Sequence, residues 1–139
     1  MHLLVDGYGG DVEKMKDEDF VYRFLDTYPS EIGMNKIITP RVITYRGPKE
    51  EDWGVSGFVI IAESHISIHT FPERSYVNID VFSCKDFDNE KALAQIREVF
   101  SLEQVKFWVL GRGLDYSIPK TGAAVKRGRA RAVLSGIDG

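Results

Sequence analysis

Glu63-Ser64-His65-Ile66-Ser67-Ile68-His69-Thr70-Phe71-Pro72-Glu73-Arg74-Ser75-Tyr76-Val77-Asn78-Ile79-Asp80-Val81-Phe82-Ser83-Cys84 is the stretch that decides the fold. From Ser64 the residues alternate, with Ile66 and Ile68 pointing one way and His65, Ser67 and His69 the other. Val77, Ile79 and Val81 alternate in the same manner with Asn78, Asp80, Phe82 and Cys84. A hairpin with its loop at Pro72 to Ser75 sets His69 against Asn78, Ser67 against Asp80, His65 against Phe82 and Glu63 against Cys84. This register collects the isoleucines and valines on one side, and a slip of one residue would mix the two sets. The apolar side belongs under helices. The other side carries His65, His69, Asp80 and Cys84, and such a face is expected to meet a partner, most simply a second copy of the chain.

Working outward, His2 to Asp6 reads as a strand stopped by Gly7-Tyr8-Gly9-Gly10. Phe20, Val21, Phe24, Leu25 and Tyr28 recur at helical spacing and predict a helix over 17–28 that Pro29 stops. Residues 36–46 are β-branched, with Pro40 marking a bend or an edge position. A polar acidic loop fills 47–52. The strand at 55–63 has an apolar middle, Phe58 to Ala62, that predicts a central place in its sheet. Ala92, Leu93, Ile96, Val99 and Phe100 form the inner face of a second helix over 89–101. A last strand covers 105–110. The order predicts an α+β, two-layer sandwich: a largely antiparallel sheet with helices on one face.

Bulk properties narrow the class. The chain has 139 residues, enough for one domain, which we assign to 1–119. Residues 120–139 read as a basic mobile tail carrying Lys126, Arg127, Arg129 and Arg131. A formal net charge of −3 suggests neither nucleic acid nor membrane as partner. No apolar run reaches the roughly 18 residues of a membrane span, and the N-terminus is not a signal peptide, which predicts a cytoplasmic protein. A single cysteine excludes an intrachain disulfide.

Between Ser64 and Cys84 lie two of the three histidines and the one thiol, so chemistry is sought there. His65 and His69 stand about 13 Å apart along a strand and cannot share one metal ion. The register sets Cys84 nearer Glu63 than either histidine, which argues against a protease-like dyad; a small buried hydrophobe is the plain alternative. Ser64 lies within continuous strand pattern, with no Gly-x-Ser-x-Gly elbow to expose a hydrolase nucleophile. A fourth chemistry uses a serine in strained backbone. Its hydroxyl attacks the preceding carbonyl, and elimination from the resulting ester leaves a pyruvoyl group. The residues alone leave these readings open.

The run Gly54-Val55-Ser56-Gly57, then Glu63 to Glu73, then Asp80-Val81-Phe82-Ser83-Cys84 resembles the small prokaryotic pyruvoyl-dependent S-adenosylmethionine decarboxylases. The likeness is close over 53–84 and looser from His2 to Gly113. It implies a proenzyme of polyamine biosynthesis that cleaves itself between Glu63 and Ser64 into a β chain, 1–63, and an α chain, 64–139. Ser64 would become the covalent pyruvoyl group, which holds the substrate amine as a Schiff base in place of pyridoxal phosphate and without a metal. By position, His69 matches the processing base, Cys84 the proton donor and Ser56 a processing assistant. Glu73 and Asp6 match substrate-binding acids. The resemblance also implies a homodimer with shared sites, to which the partner protomer contributes Ser56, His69 and Glu73.

One position departs from the pattern. The family's adenine-stacking aromatic falls on Glu50, inside Lys49-Glu50-Glu51-Asp52, with Trp53 next as a ring that can stack instead. A carboxylate cluster at 50–52 would suit ornithine or arginine under the same chemistry. A non-catalytic dimeric module is the reading of another class.

Overall fold

A computed structural model describes residues 1–112 and 132–139. Its elements are β1 (His2–Tyr8), α1 (Val12–Met15), α2 (Glu18–Glu31), β2 (Arg41–Arg46), β3 (Trp53–Ile61), β4 (Ser64–Phe71), β5 (Tyr76–Ser83), α3 (Asn89–Phe100), β6 (Gln104–Leu110) and β7 (Ala132–Asp138). Seven strands form one sheet in the order β2-β3-β4-β5-β1-β6-β7, and every pair is antiparallel. The predicted two-layer α+β class is the one observed.

Local chemistry explains the elements. Asp17 caps α2 by accepting from the Asp19 and Phe20 N–H groups at 2.9 and 3.2 Å. The expected stop at Pro29 is corrected, because α2 continues to Glu31. Proline in a last turn loses only its own bond to the carbonyl four residues back. Here its carbonyl accepts from the Met34 N–H at 2.8 Å. The expected strand 36–46 begins only at Arg41, after Pro40, while Lys36 makes an isolated bridge to Ile61.

The β4–β5 register is the one the alternation required: His69 faces Asn78, Ser67 faces Asp80 and His65 faces Phe82. Ser64, however, does not lie in continuous strand. Ala62 and Glu63 form a tight turn that reverses the chain from β3 into β4. β3 is flanked by β2 and β4, so it is an interior strand. The expected tail is also corrected in part: 132–138 form β7, which pairs with β6, while 120–131 lie outside the described residues.

The face of the sheet under α2 and α3 is the core. Ile66, Ile68, Val77, Ile79 and Val81 have no exposed surface. Phe100 of α3 is fully buried and meets the Phe20 and Phe24 rings edge-on at 5.6 and 5.1 Å. Removing a ring so placed costs about 3–5 kcal/mol. The Tyr28 hydroxyl donates to the Ala92 carbonyl at 3.0 Å and ties α2 to α3. Its burial raises its pKa well above the ordinary phenol value. The opposite face has no layer over it among the described residues, and Ile43, Phe58, Trp108 and Ile137 are exposed there.

Candidate active site

The open face is organised in lines that cross the strands. In one line stand Ile43, Ser56, His69, Asn78, Asp6 and Lys106, each paired with the next. The register therefore brings three of the expected residues, Ser56, His69 and Asp6, onto one row. Ser56 Oγ and His69 Nδ1 share a hydrogen bond of 2.8 Å. Asn78 Nδ2 donates to Asp6 Oδ1 at 2.7 Å and links the row towards β1.

Beside this row is a pocket of about 320 Å³ lined by Tyr45, Trp53, Ser56, His69, Phe71 and Arg74 together with Pro48, Asp52, Gly54 and Thr70. Trp53 Nε1 donates to Glu73 Oε1 at 3.0 Å, so these two expected substrate residues are joined. The Arg46 guanidinium lies 5.1 Å from the Trp53 ring centre. Asp52 is paired with Arg74 at 3.2 Å. Glu50 is exposed in its loop and does not line the pocket. Sequence reading missed Tyr45 and Phe71. Tyr45 had a signal, since the β3 pairing sets it opposite Gly54 next to Ser56, but the partner of an edge strand is not written in its own residues.

The second cluster lies at the other end of β4. Ser64 opens that strand with φ +150°, a backbone angle that side chains other than glycine avoid. Cys84 is exposed just past β5, and its N–H donates to the Glu63 carbonyl at 2.8 Å. That donor polarises the carbonyl a Ser64 hydroxyl would attack. Glu63 is buried, at 7% exposure for the residue. Burial acts to raise its pKa, but hydrogen bonds from the Asn35 N–H, Lys85 and the Asn35 amide outweigh this and hold it below the ordinary carboxylate value.

Five residues of strand separate Ser64 from His69, about 16 Å. One chain therefore brings Ser64, Glu63 and Cys84 together, and separately Ser56, His69, Trp53 and Glu73. His65 stays with the first group, edge-on to Phe82 at 5.5 Å. His2 lies across the same ring at 5.4 Å. Burial, more than any neighbour, lowers the His2 pKa. A larger groove of about 660 Å³ runs between α3 and β6, lined by Leu93, Arg97, Phe107 and Asp138 among others, and contains none of the expected residues.

Comparison with known proteins places this geometry among relatives. A family model described as S-adenosylmethionine decarboxylase matches residues 1–113. An S-adenosylmethionine decarboxylase proenzyme of Archaeoglobus fulgidus is 35% identical over 113 residues, covering 81% of this chain and 96% of the relative. Proenzymes of the same description from Geobacillus kaustophilus and Clostridium botulinum (strain Langeland) are 34% and 30% identical, with 86% and 92% of the relative covered. The crystal structure of the adenosylmethionine decarboxylase of Aquifex aeolicus matches with a TM-score of 0.64 at 27% identity, over 76% of this chain and 83% of that one.

Proposed function

The chain belongs to the S-adenosylmethionine decarboxylase family, and from that premise we propose how its own residues carry the reaction. It is a carboxy-lyase, made as a proenzyme, that releases CO2 from S-adenosylmethionine. The observation that carries the proposal is the turn at 62–64, where a strained serine directly follows a carbonyl already holding an N–H donor.

Cleavage begins when Ser64 Oγ bonds to the Glu63 carbonyl carbon while the C–N bond breaks and the hydroxyl proton passes to the nitrogen. The peptide becomes an ester. His69 Nε2, with its Nδ1 held by the Ser56 hydroxyl, then takes the Ser64 α-proton, and Glu63 departs as a carboxylate. Loss of ammonia by hydrolysis leaves the pyruvoyl group. Ser64 suits this origin because its φ stores about 1–3 kcal/mol of strain that the cut relieves. The pyruvoyl group supplies a carbonyl that holds the substrate amine and accepts the electron pair left by CO2. Cys84 Sγ–H delivers a proton to the carbon that CO2 has left.

The 16 Å between the two clusters argues for a homodimer with shared sites. A two-fold stacking of open faces with strands antiparallel interchanges the ends of β4, so the His69 row of one protomer meets the Ser64 turn of its partner. The exposed Ile43, Phe58, Trp108 and Ile137 supply apolar surface for that contact. Substrate recognition follows from the pocket. Tyr45, Trp53 and Phe71 of its lining offer rings for an adenine, while Glu73, bonded to Trp53, and Asp6, further along the His69 row, offer carboxylates beyond the lining for the cationic end; the one loop carboxylate in the lining, Asp52, is paired with Arg74. This favours S-adenosylmethionine over ornithine or arginine. No helix among the described residues is long and apolar enough to cross a membrane, and a biosynthetic role fits the cytoplasm.

Two measurements test the proposal. Intact mass of the purified chain should show two fragments divided at Ser64, the second with a blocked, carbonyl-bearing terminus, and Ser64→Ala should remain one chain. Labelled CO2 should come from S-adenosylmethionine and not from ornithine or arginine. An uncut parent chain, or turnover of a basic amino acid alone, would overturn it.

A further inference from the structure

We propose that Glu63, Asn35 and Lys85 form a positioning clamp that holds the scissile turn for self-cleavage and afterwards retains the new chain end. This rests on the cleavage at Ser64 proposed above.

Glu63 is buried, with 9% of its side chain exposed, yet its carboxylate is not isolated. The Asn35 N–H reaches Oε2 at 3.1 Å and the Asn35 amide nitrogen reaches Oε1 at 3.1 Å. Lys85 Nζ stands 3.0 Å from Oε1 and also donates to the Gly33 carbonyl at 3.1 Å. The main chain of the turn is held from the same two sides. The Ala62 N–H donates to the Asn35 carbonyl, and the Glu63 carbonyl accepts from Cys84, each at 2.8 Å. One side chain thus joins three segments: the loop after α2, the β3–β4 turn and the loop after β5.

None of these bonds reaches Ser64. That residue is fixed instead by the β4 ladders to β3 and β5. The two halves of the turn are therefore gripped independently, and the strain at the Ser64 φ cannot relax by moving Glu63. In the acyl shift the carbonyl carbon must stay within reach of Ser64 Oγ, a requirement of position that this grip meets. An ion pair whose lysine is half exposed contributes little net stability, so its value here lies in fixing one geometry. After the cut, Glu63 carries a second carboxylate, formed from the former peptide carbonyl. The Cys84 N–H then bonds to a charge, and the Lys85 cation offsets the repulsion between the two carboxylates on one residue.

The test samples freshly translated chain over time and follows the division at Ser64 by intact mass. Its variants are Glu63→Gln, Lys85→Met and Lys85→Arg, each melted in parallel on the uncut Ser64→Ala background. Glu63→Gln and Lys85→Met should divide at least about tenfold more slowly at temperatures where their uncut forms are fully folded. Lys85→Arg, which keeps the cation, should come within about threefold of the parent. Parent-like rates in both Glu63→Gln and Lys85→Met, or slowing that Lys85→Arg does not restore, or slowing that tracks unfolding of the uncut form, each sink the clamp. A parent chain that never divides is a different failure, since it removes the cleavage reading itself.

Discussion

Replacing Tyr45 by alanine tests where the substrate lies. Tyr45 is 58% exposed in the pocket wall. An aromatic side chain presents about 200 Å², which leaves on the order of 115 Å² of ring and edge for a ligand to cover. A flat base stacked on one face covers about half of that, and at about 25 cal/mol per Å² this contributes about 1.5 kcal/mol. Stacking geometry adds roughly 0.5 kcal/mol or more. The sum, about 2 kcal/mol, predicts a fall of about 30-fold in kcat/KM for S-adenosylmethionine. The loss should appear in KM, because the ring is remote from the carbon that loses CO2 and binds substrate and transition state alike. Tyr45→Phe keeps the ring and should stay within about twofold of the parent. The assay is CO2 release from fully divided enzyme over a range of substrate concentrations, with Glu50→Ala alongside. Glu50 lies outside the pocket, so its loss should leave KM unchanged. A Tyr45→Ala enzyme with parent KM, beside a Glu50→Ala enzyme with KM raised tenfold, would falsify this placement and restore the acidic loop as the recognition element.

Other outcomes follow from the same geometry. His69→Ala should slow division at Ser64 by about 100-fold or more, measured by intact mass, since no other imidazole among the described residues stands in the row with Ser56. Cys84→Ala should divide normally, because the N–H that holds Glu63 is retained, yet lose about 100-fold in turnover; normal CO2 release would remove the proton-donor role. Gly54→Ala would set a Cβ 1.8 Å from the Thr70 carbonyl oxygen, which is backbone and cannot swing away. A loss of about 3 kcal/mol and a melting temperature at least about 8 °C lower are expected, and an unchanged melt would refute that close approach. The Glu63 carboxyl gives a pH dependence. Its folded pKa is lowered below 4.5, so its contribution is complete above that value and disappears as pH falls through the lower folded one. Melts of Ser64→Ala chain between about pH 3 and 6 should show an acid-sensitive component that Ser64→Ala/Glu63→Gln lacks.

The alternation of β4 and β5 was legible because one face is fully buried, which leaves no second register for Ile66, Ile68, Val77, Ile79 and Val81. The reversal before Ser64 was not. Ala62-Glu63 contains no glycine, asparagine or proline to mark a turn, and the structure forms it with hydrogen bonds from Asn35 and Cys84, residues far away in the chain. β7 was missed because the Lys126 to Arg131 run just before it gave the whole tail a basic reading, although Val133, Leu134 and Ile137 suit a strand. It is held by pairing with β6, where Gly136 lets the Phe107 ring lie within 2.9 Å of its missing Cβ position. Ser56, His69, Glu73 and Trp53 fall close together, residues named through the family resemblance rather than through any local pattern. The Tyr45 ring reaches that pocket through the pairing of β2 with β3, which no local pattern encodes, whereas Phe71, two residues after His69, lies on the same face by alternation.

The placement of β1 between β5 and β6 has a consequence for a severed molecule. A break after residue 63 would leave β1, β2 and β3 in one fragment and the remaining strands in the other. The shorter piece would then be threaded through the longer one, secured along three separate ladders. Such halves would travel together through purification without any covalent link. Reassembly from denaturant would be second order in concentration, so the melt of a divided sample should show hysteresis that the undivided Ser64→Ala chain does not.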